Sequence, residues 1–207
     1  MIDRIRSLLR AQAPLVERSL LPAASAAQLE ELEAVVGEPL PFDLLQLYRA
    51  TAGNDPEGIA NFAYGLVFTD IDTLLARLSA LPREGDGHPM VFADHGIAEG
   101  YSFGRRRLEI GHDSGRCKIL VDLSPVDGGD VGQIIFVDSE SGVALKLADS
   151  VSDYLQNFGD DLFAGRYSLQ EDALEEGVEW LQPARDIDVE NWYNSPTWQY
   201  AAQVAKS

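Results

Sequence analysis

The apolar residues of this chain change their period near Pro82 and change back near Ser150, and the first change constrains the fold more than any other feature. Before it they recur every three to four positions; after it they alternate. A pattern written for one period cannot bury its apolar face in the other, so the helices and strands fall into separate blocks.

In the helical block, Ile2, Ile5, Leu8 and Leu9 share one face, which predicts a helix over 2–10. Pro14 and Pro22 limit its extension, so 11–24 reads as a connector with a short helical turn. Ser25 and Gln28 form a capping-box pattern, Leu29, Leu32 and Val36 follow at helical spacing, and Gly37 can supply the left-handed stop. Pro41 suits a first helical turn, with Leu44, Leu45, Tyr48 and Ala52 after it and Gly53-Asn54 at the close. Residues 58–68 suit a strand or two, and Thr69 can cap a helix carrying Ile71, Leu74, Leu75 and Leu78.

Beyond Pro82, Met90-Val-Phe-Ala reads as a short strand and Arg105-Arg-Arg107 leads into another. Cys117, Ile119, Val121 and Leu123 alternate as a half-buried strand does. Gly132-Gln-Ile-Ile-Phe-Val-Asp138 is apolar on both faces, which predicts a central position; with Val143, Leu145 and Leu147 it makes 133–147 a hairpin candidate. Ser150 and Asp153 then cap a helix bearing Val151, Tyr154, Leu155 and Phe158. Residues 149–207 hold twelve acids and three bases, yet also all three tryptophans, so short helices packed on the domain edge are expected rather than a solvated tail.

Charge narrows the function classes. The 207 residues include 34 acids and 16 bases, a formal net charge of −18, which argues against general binding to nucleic acid or anionic membrane. Charged partners of such a chain are basic. The single cysteine, Cys117, forms no internal disulfide, and no stretch approaches the roughly 18 apolar residues of a membrane span. The N-terminus lacks the unbroken apolar core of a signal peptide, so a cytoplasmic location is expected.

No motif supplies an active site. Gly100-Tyr-Ser102-Phe-Gly104 matches a nucleophile elbow by letter, but a poor strand precedes it, a strand rather than a helix follows it, and His112 comes too soon. His88, His95 and His112 with Asp94 and Asp113 lack metal-site spacing, and solvent-exposed histidines are the plainer reading. Asp127, Asp130, Asp138 and Glu140 do not match the twelve-residue calcium loop. The glycine-rich run 124–132 has no Gly-Lys-Ser/Thr and reads as a turn-rich connection. No catalytic residue, metal ligand or cofactor is assigned.

The helix–Gly–Leu-Pro–helix–Gly order resembles the start of a SUKH domain, the family of fungal cell-wall assembly regulators and bacterial toxin-immunity proteins. The residues carrying the likeness are Leu29-Glu-Glu-Leu-Glu-Ala-Val-Val-Gly37, Leu40-Pro-Phe-Asp-Leu-Leu-Gln-Leu-Tyr48 and Ala52-Gly-Asn54. Leu108-Glu-Ile-Gly-His-Asp-Ser-Gly115, Ile119-Leu-Val-Asp-Leu123, Gly132-Gln-Ile-Ile-Phe136, Ala148-Asp-Ser-Val-Ser-Asp-Tyr-Leu155 and Asp160-Asp-Leu-Phe-Ala-Gly165 continue it in order.

The resemblance implies an α+β domain with a single mostly antiparallel β-sheet flanked by helices, and no catalysis. It would occupy 25–168, with 1–24 as an N-terminal helix and connector and 169–207 as a helical, acidic C-terminal extension. It also implies a protein partner. A bacterial member binds and neutralises a cognate toxin, often a nuclease whose substrate groove must be basic; a cell-wall-regulator-like member serves instead as a regulatory scaffold. For the first role the candidate contact surface is the acidic loops carrying Asp113, Asp127, Asp130, Asp138 and Glu140.

Overall fold

The computed structural model describes residues 1–83, 85, 87–102 and 104–205; the side chains of 87, 88, 101 and 102 fall outside that description, as does Phe103. The N-terminal block folds into α1 (Ile2–Gln12), α2 (Pro14–Ser19), α3 (Ala26–Val36) and α4 (Phe42–Ala50). The capping box at Ser25 forms as read: Ser25 Oγ accepts the Gln28 N–H and the Gln28 side chain accepts the Ser25 N–H. Gly37 ends α3 at φ +81°, a left-handed conformation that costs glycine nothing. The 11–24 stretch carries more helix than one turn, because Pro14 sits at the first position of α2 where its missing N–H is no loss.

β1 (Val67–Phe68) is the one strand in 58–68; the rest of that stretch is irregular apart from a 3₁₀ turn at Ala63–Gly65. Asp70, not Thr69, caps α5 (Ile71–Ala80), its carboxylate accepting the Thr73 N–H at 3.0 Å. Thr69 is instead held by the sheet, its N–H donating to the Ile110 carbonyl.

The strand block contains β2 (Gly87–Pro89), β3 (Phe92–Ala93), β4 (Gly100–Ser102), β5 (Arg107–His112), β6 (Cys117–Asp122), β7 (Gln133–Asp138) and β8 (Val143–Ala148). A six-stranded sheet runs β1-β5-β6-β7-β8-β3, antiparallel throughout except for the β3–β8 pair. β2 and β4 pair separately. β7 lies between β6 and β8 and is buried along its whole length, which is why it is apolar on both faces.

One sheet face puts Leu108, Ile119, Val121, Ile134, Phe136, Val143 and Leu145 into the main core. The other face puts Leu120, Ile135, Val137 and Ala144 against Ile97 in a smaller cluster. α6 (Val151–Phe163) lies against β7 and β8, and α1 packs on α6. Ile5 and Leu9 of α1 are wholly buried, each contributing roughly 1.5–3 kcal/mol. The N-terminal helix is therefore part of the core.

The acidic tail holds β9 (Tyr167–Leu169), α7 (Glu171–Glu175), β10 (Leu181–Pro183) and α8 (Gln199–Ala205). Short helices are present as expected, together with an antiparallel β9–β10 pair. Buried Asn61 pins this segment, its amide donating to the carbonyls of Gly65 and Leu181 and its oxygen accepting the Leu181 N–H, all at 2.8 Å. Val189, Trp192, Trp198, Ala201 and Ala202 complete the core from the tail side.

Candidate binding surface

Antiparallel neighbours put alternate turns at opposite ends of a sheet. The β5–β6 and β7–β8 turns share one end, where Cys117 is opposite Asp138; the β6–β7 turn occupies the other, beyond Asp122 opposite Gln133. Six-residue strands separate the two ends by about 20 Å. The five candidate acids are divided between them. Asp113, Asp138 and Glu140 share the first end, and Asp127 and Asp130 stand at the second.

At the first end the carboxylates serve the fold. Asp113 Oδ1 accepts the N–H groups of Gly115 (2.7 Å) and Cys117 (3.0 Å), closing the turn. Asp138 has no exposed surface. Its Oδ1 accepts the N–H groups of Glu140 and Ser141, and its Oδ2 accepts the Trp192 indole N–H at 3.1 Å and faces Arg116 Nη1 at 3.2 Å. Asp138 therefore cannot belong to a contact surface. Glu140 is exposed, 3.9 Å from the same guanidinium.

Asp113, Cys117 and Glu190 also gather at this end, with one ligand-type atom from each inside a 4.8 Å cluster. Burial pushes the Cys117 thiol well above its ordinary range, assisted by Asp113 and Asp138. Burial, then the charges of Asp113 and Asp188, pushes Glu190 up to about 7. Asp113 Oδ1 is already engaged by two N–H groups, and the cluster reads as acids crowded beneath the tail.

At the second end the acids face solvent. Asp127 is exposed, and Asp130 and Asp149 are 63% and 71% exposed at the side chain. Lys146 bridges the last two, at 3.2 Å and 2.6 Å. The bases nearer β5 are engaged: Arg106 with Glu38 and the Leu123 carbonyl, and Arg107 with Asp122. Asp149 was missed because its place just before the Ser150 cap marks it only as a linker residue.

Among the described residues the nucleophile elbow and the histidine metal set do not come together. The strand β4, not a turn, carries Gly100–Ser102, and the β-strand β5 follows where an elbow requires a helix. His112 stands at the far end of β5 from Gly104. Its Nδ1 accepts the Ser114 N–H at 3.1 Å, so the Ser114 hydroxyl 3.4 Å away gains no base. His95 packs over Gly128 at the second end, remote from His112, and His88 lies outside the described side chains. A groove of about 490 Å³ beside α5, floored by Leu74, Leu78 and Leu120, has Glu109 ion-paired with both Arg77 and Lys118, and its lining includes no Ser, Cys or His. Among the described residues no helix is long and apolar enough to cross a membrane.

Comparison with known proteins gives one family. The model of the SMI1 / KNR4 family (SUKH-1) matches residues 23–157, from the approach to α3 into α6. No curated protein matches the chain.

Proposed function

The chain belongs to the SMI1 / KNR4 family (SUKH-1), and from that premise we propose that it is a non-enzymatic immunity protein. It binds a cognate basic toxin, a nuclease being the class whose groove its charge fits, and neutralises it by occluding that groove. The observation that carries this reading is the second end of the sheet. Asp127, Asp130 and Asp149 stand exposed there, the last two around one engaged lysine, in a chain of net charge −18. Opposite fields speed encounter with a cationic groove, and direct contacts then set the lifetime.

Co-expression with the product of the adjacent open reading frame tests it. The expected outcome is protection of the host from that product and a stable complex whose association slows as salt rises. An adjacent product that is harmless alone and forms no complex overturns the reading, and many weak non-toxic partners would favour a regulatory scaffold.

A further inference from the structure

The same end of the sheet carries two apolar side chains that the core does not use. Phe42, the first residue of α4, is 72% exposed, and Val131, in the β6–β7 turn, is 70% exposed. Single exposed apolar residues are ordinary on any protein. These two are not single. A Cβ placed on Gly132 would come within 2.9 Å of Pro41 Cγ, so the residue after Val131 is seated against the residue before Phe42. At φ +91° and at that separation only glycine fits, which fixes the two segments side by side.

The platform beneath them is hydrogen-bonded from both sides. Asp43 accepts the Ser152 N–H at 2.8 Å, tying α4 to the start of α6. Gly132 N–H donates to the Asp122 carbonyl and Gln133 N–H to the Asp130 carbonyl, holding the turn. The same end of the sheet carries the exposed acids Asp127, Asp130 and Asp149, with Lys146 held between the last two. A rigid apolar centre with a charged, wet rim is the usual anatomy of a protein contact.

We propose that Phe42 and Val131 are the anchor of the partner's docking site, and that the partner offers an apolar depression ringed by Lys and Arg. This rests on the immunity-type reading above. Charge selects the occupant. A second copy of this chain, docked face to face, would oppose three carboxylates with three more; a basic protein meets them with opposite sign. Phe42 falls off the face of Leu44, Leu47 and Tyr48 that α4 buries.

The test uses the intact chain and the purified product of the adjacent open reading frame, with affinity and rates measured against salt. Phe42→Ser with Val131→Ser should weaken binding by at least about thirtyfold with an unchanged melting temperature. Asp127→Lys should slow association and flatten its salt dependence, and Glu140→Lys at the opposite end should change neither. Weakening by Glu140→Lys with no effect of the apolar pair overturns this docking site while leaving the partner reading intact. Failure of the wild-type chain to bind removes both. Sedimentation showing a wild-type dimer that the apolar pair abolishes assigns the patch to a second copy and overturns the proposal.

Discussion

Acidic loops close both ends of the β5–β8 meander, yet the carboxylates at the two ends do different work. At the β7–β8 end, Asp138 is wholly buried among Arg116, the Trp192 indole and two turn N–H groups, and Glu190 is crowded against Asp113 and Cys117. At the β6–β7 end, Asp127, Asp130 and Asp149 face water beside Phe42 and Val131. The difference is the tail. Residues 187–195 cross the first end and bring Trp192 down on Asp138, converting a loop acid into a buried keystone. At the β6–β7 end the tail touches Asp94 through the Tyr200 hydroxyl and leaves Asp127, Asp130 and Asp149 facing water.

Four substitutions break or sharpen that contrast. Asp138→Ala is expected to destabilise most, by about 3 kcal/mol in urea unfolding, because it leaves a partly buried guanidinium and three N–H donors without their acceptor. Trp192→Phe replaces the indole with a smaller phenyl ring, removing one donor to the carboxylate and some buried packing, for about 2 kcal/mol by the same assay.

Glu190→Gln acts in the opposite sense and depends on pH. Its folded pKa, pushed up to about 7, lies above the ordinary carboxylate value of 4.5, so the folded state holds the proton longer than the unfolded one. Stability from this group is full below about pH 4.5 and falls as pH rises toward 7. The glutamine variant should match wild type at pH 4.5 and melt about 2–4 °C higher at pH 8, near 1 kcal/mol once solvent screening of this half-buried side chain is allowed for. Asp127→Asn should leave the melting temperature within the scatter of a surface change, under about 0.5 kcal/mol. A large loss there would erase the distinction between the ends.

How much of this was legible follows the range of each interaction. The Ser25 and Ser150 caps, the Gly37 stop and the 133–147 hairpin were readable because each is decided within a few residues. The Thr69 reading failed by one position, since Thr69 and Asp70 are both good caps and only pairing to Ile110 across the sheet chooses between them. Asp138 read as a loop acid because its indole donor lies 54 residues further on. The β9–β10 pair was invisible for a similar reason: three-residue strands carry too little alternation to register, and Asn61, 120 residues away, holds them. Asp127 and Asp130 were chosen by loop position alone, and both face solvent.

Sequence alone determined the helix and strand blocks, the caps and turns that bound them, the strong negative charge and the family likeness. All of these reside in short-range spacing or in sums over composition, which no packing can alter. Tertiary structure alone decided which acids are buried and which face water, the parallel β3–β8 edge, and the seating of Gly132 against Pro41. The physical reason is that a carboxylate's role is set by the donors and charges within a few ångströms of it, and in a folded chain those neighbours come from distant segments.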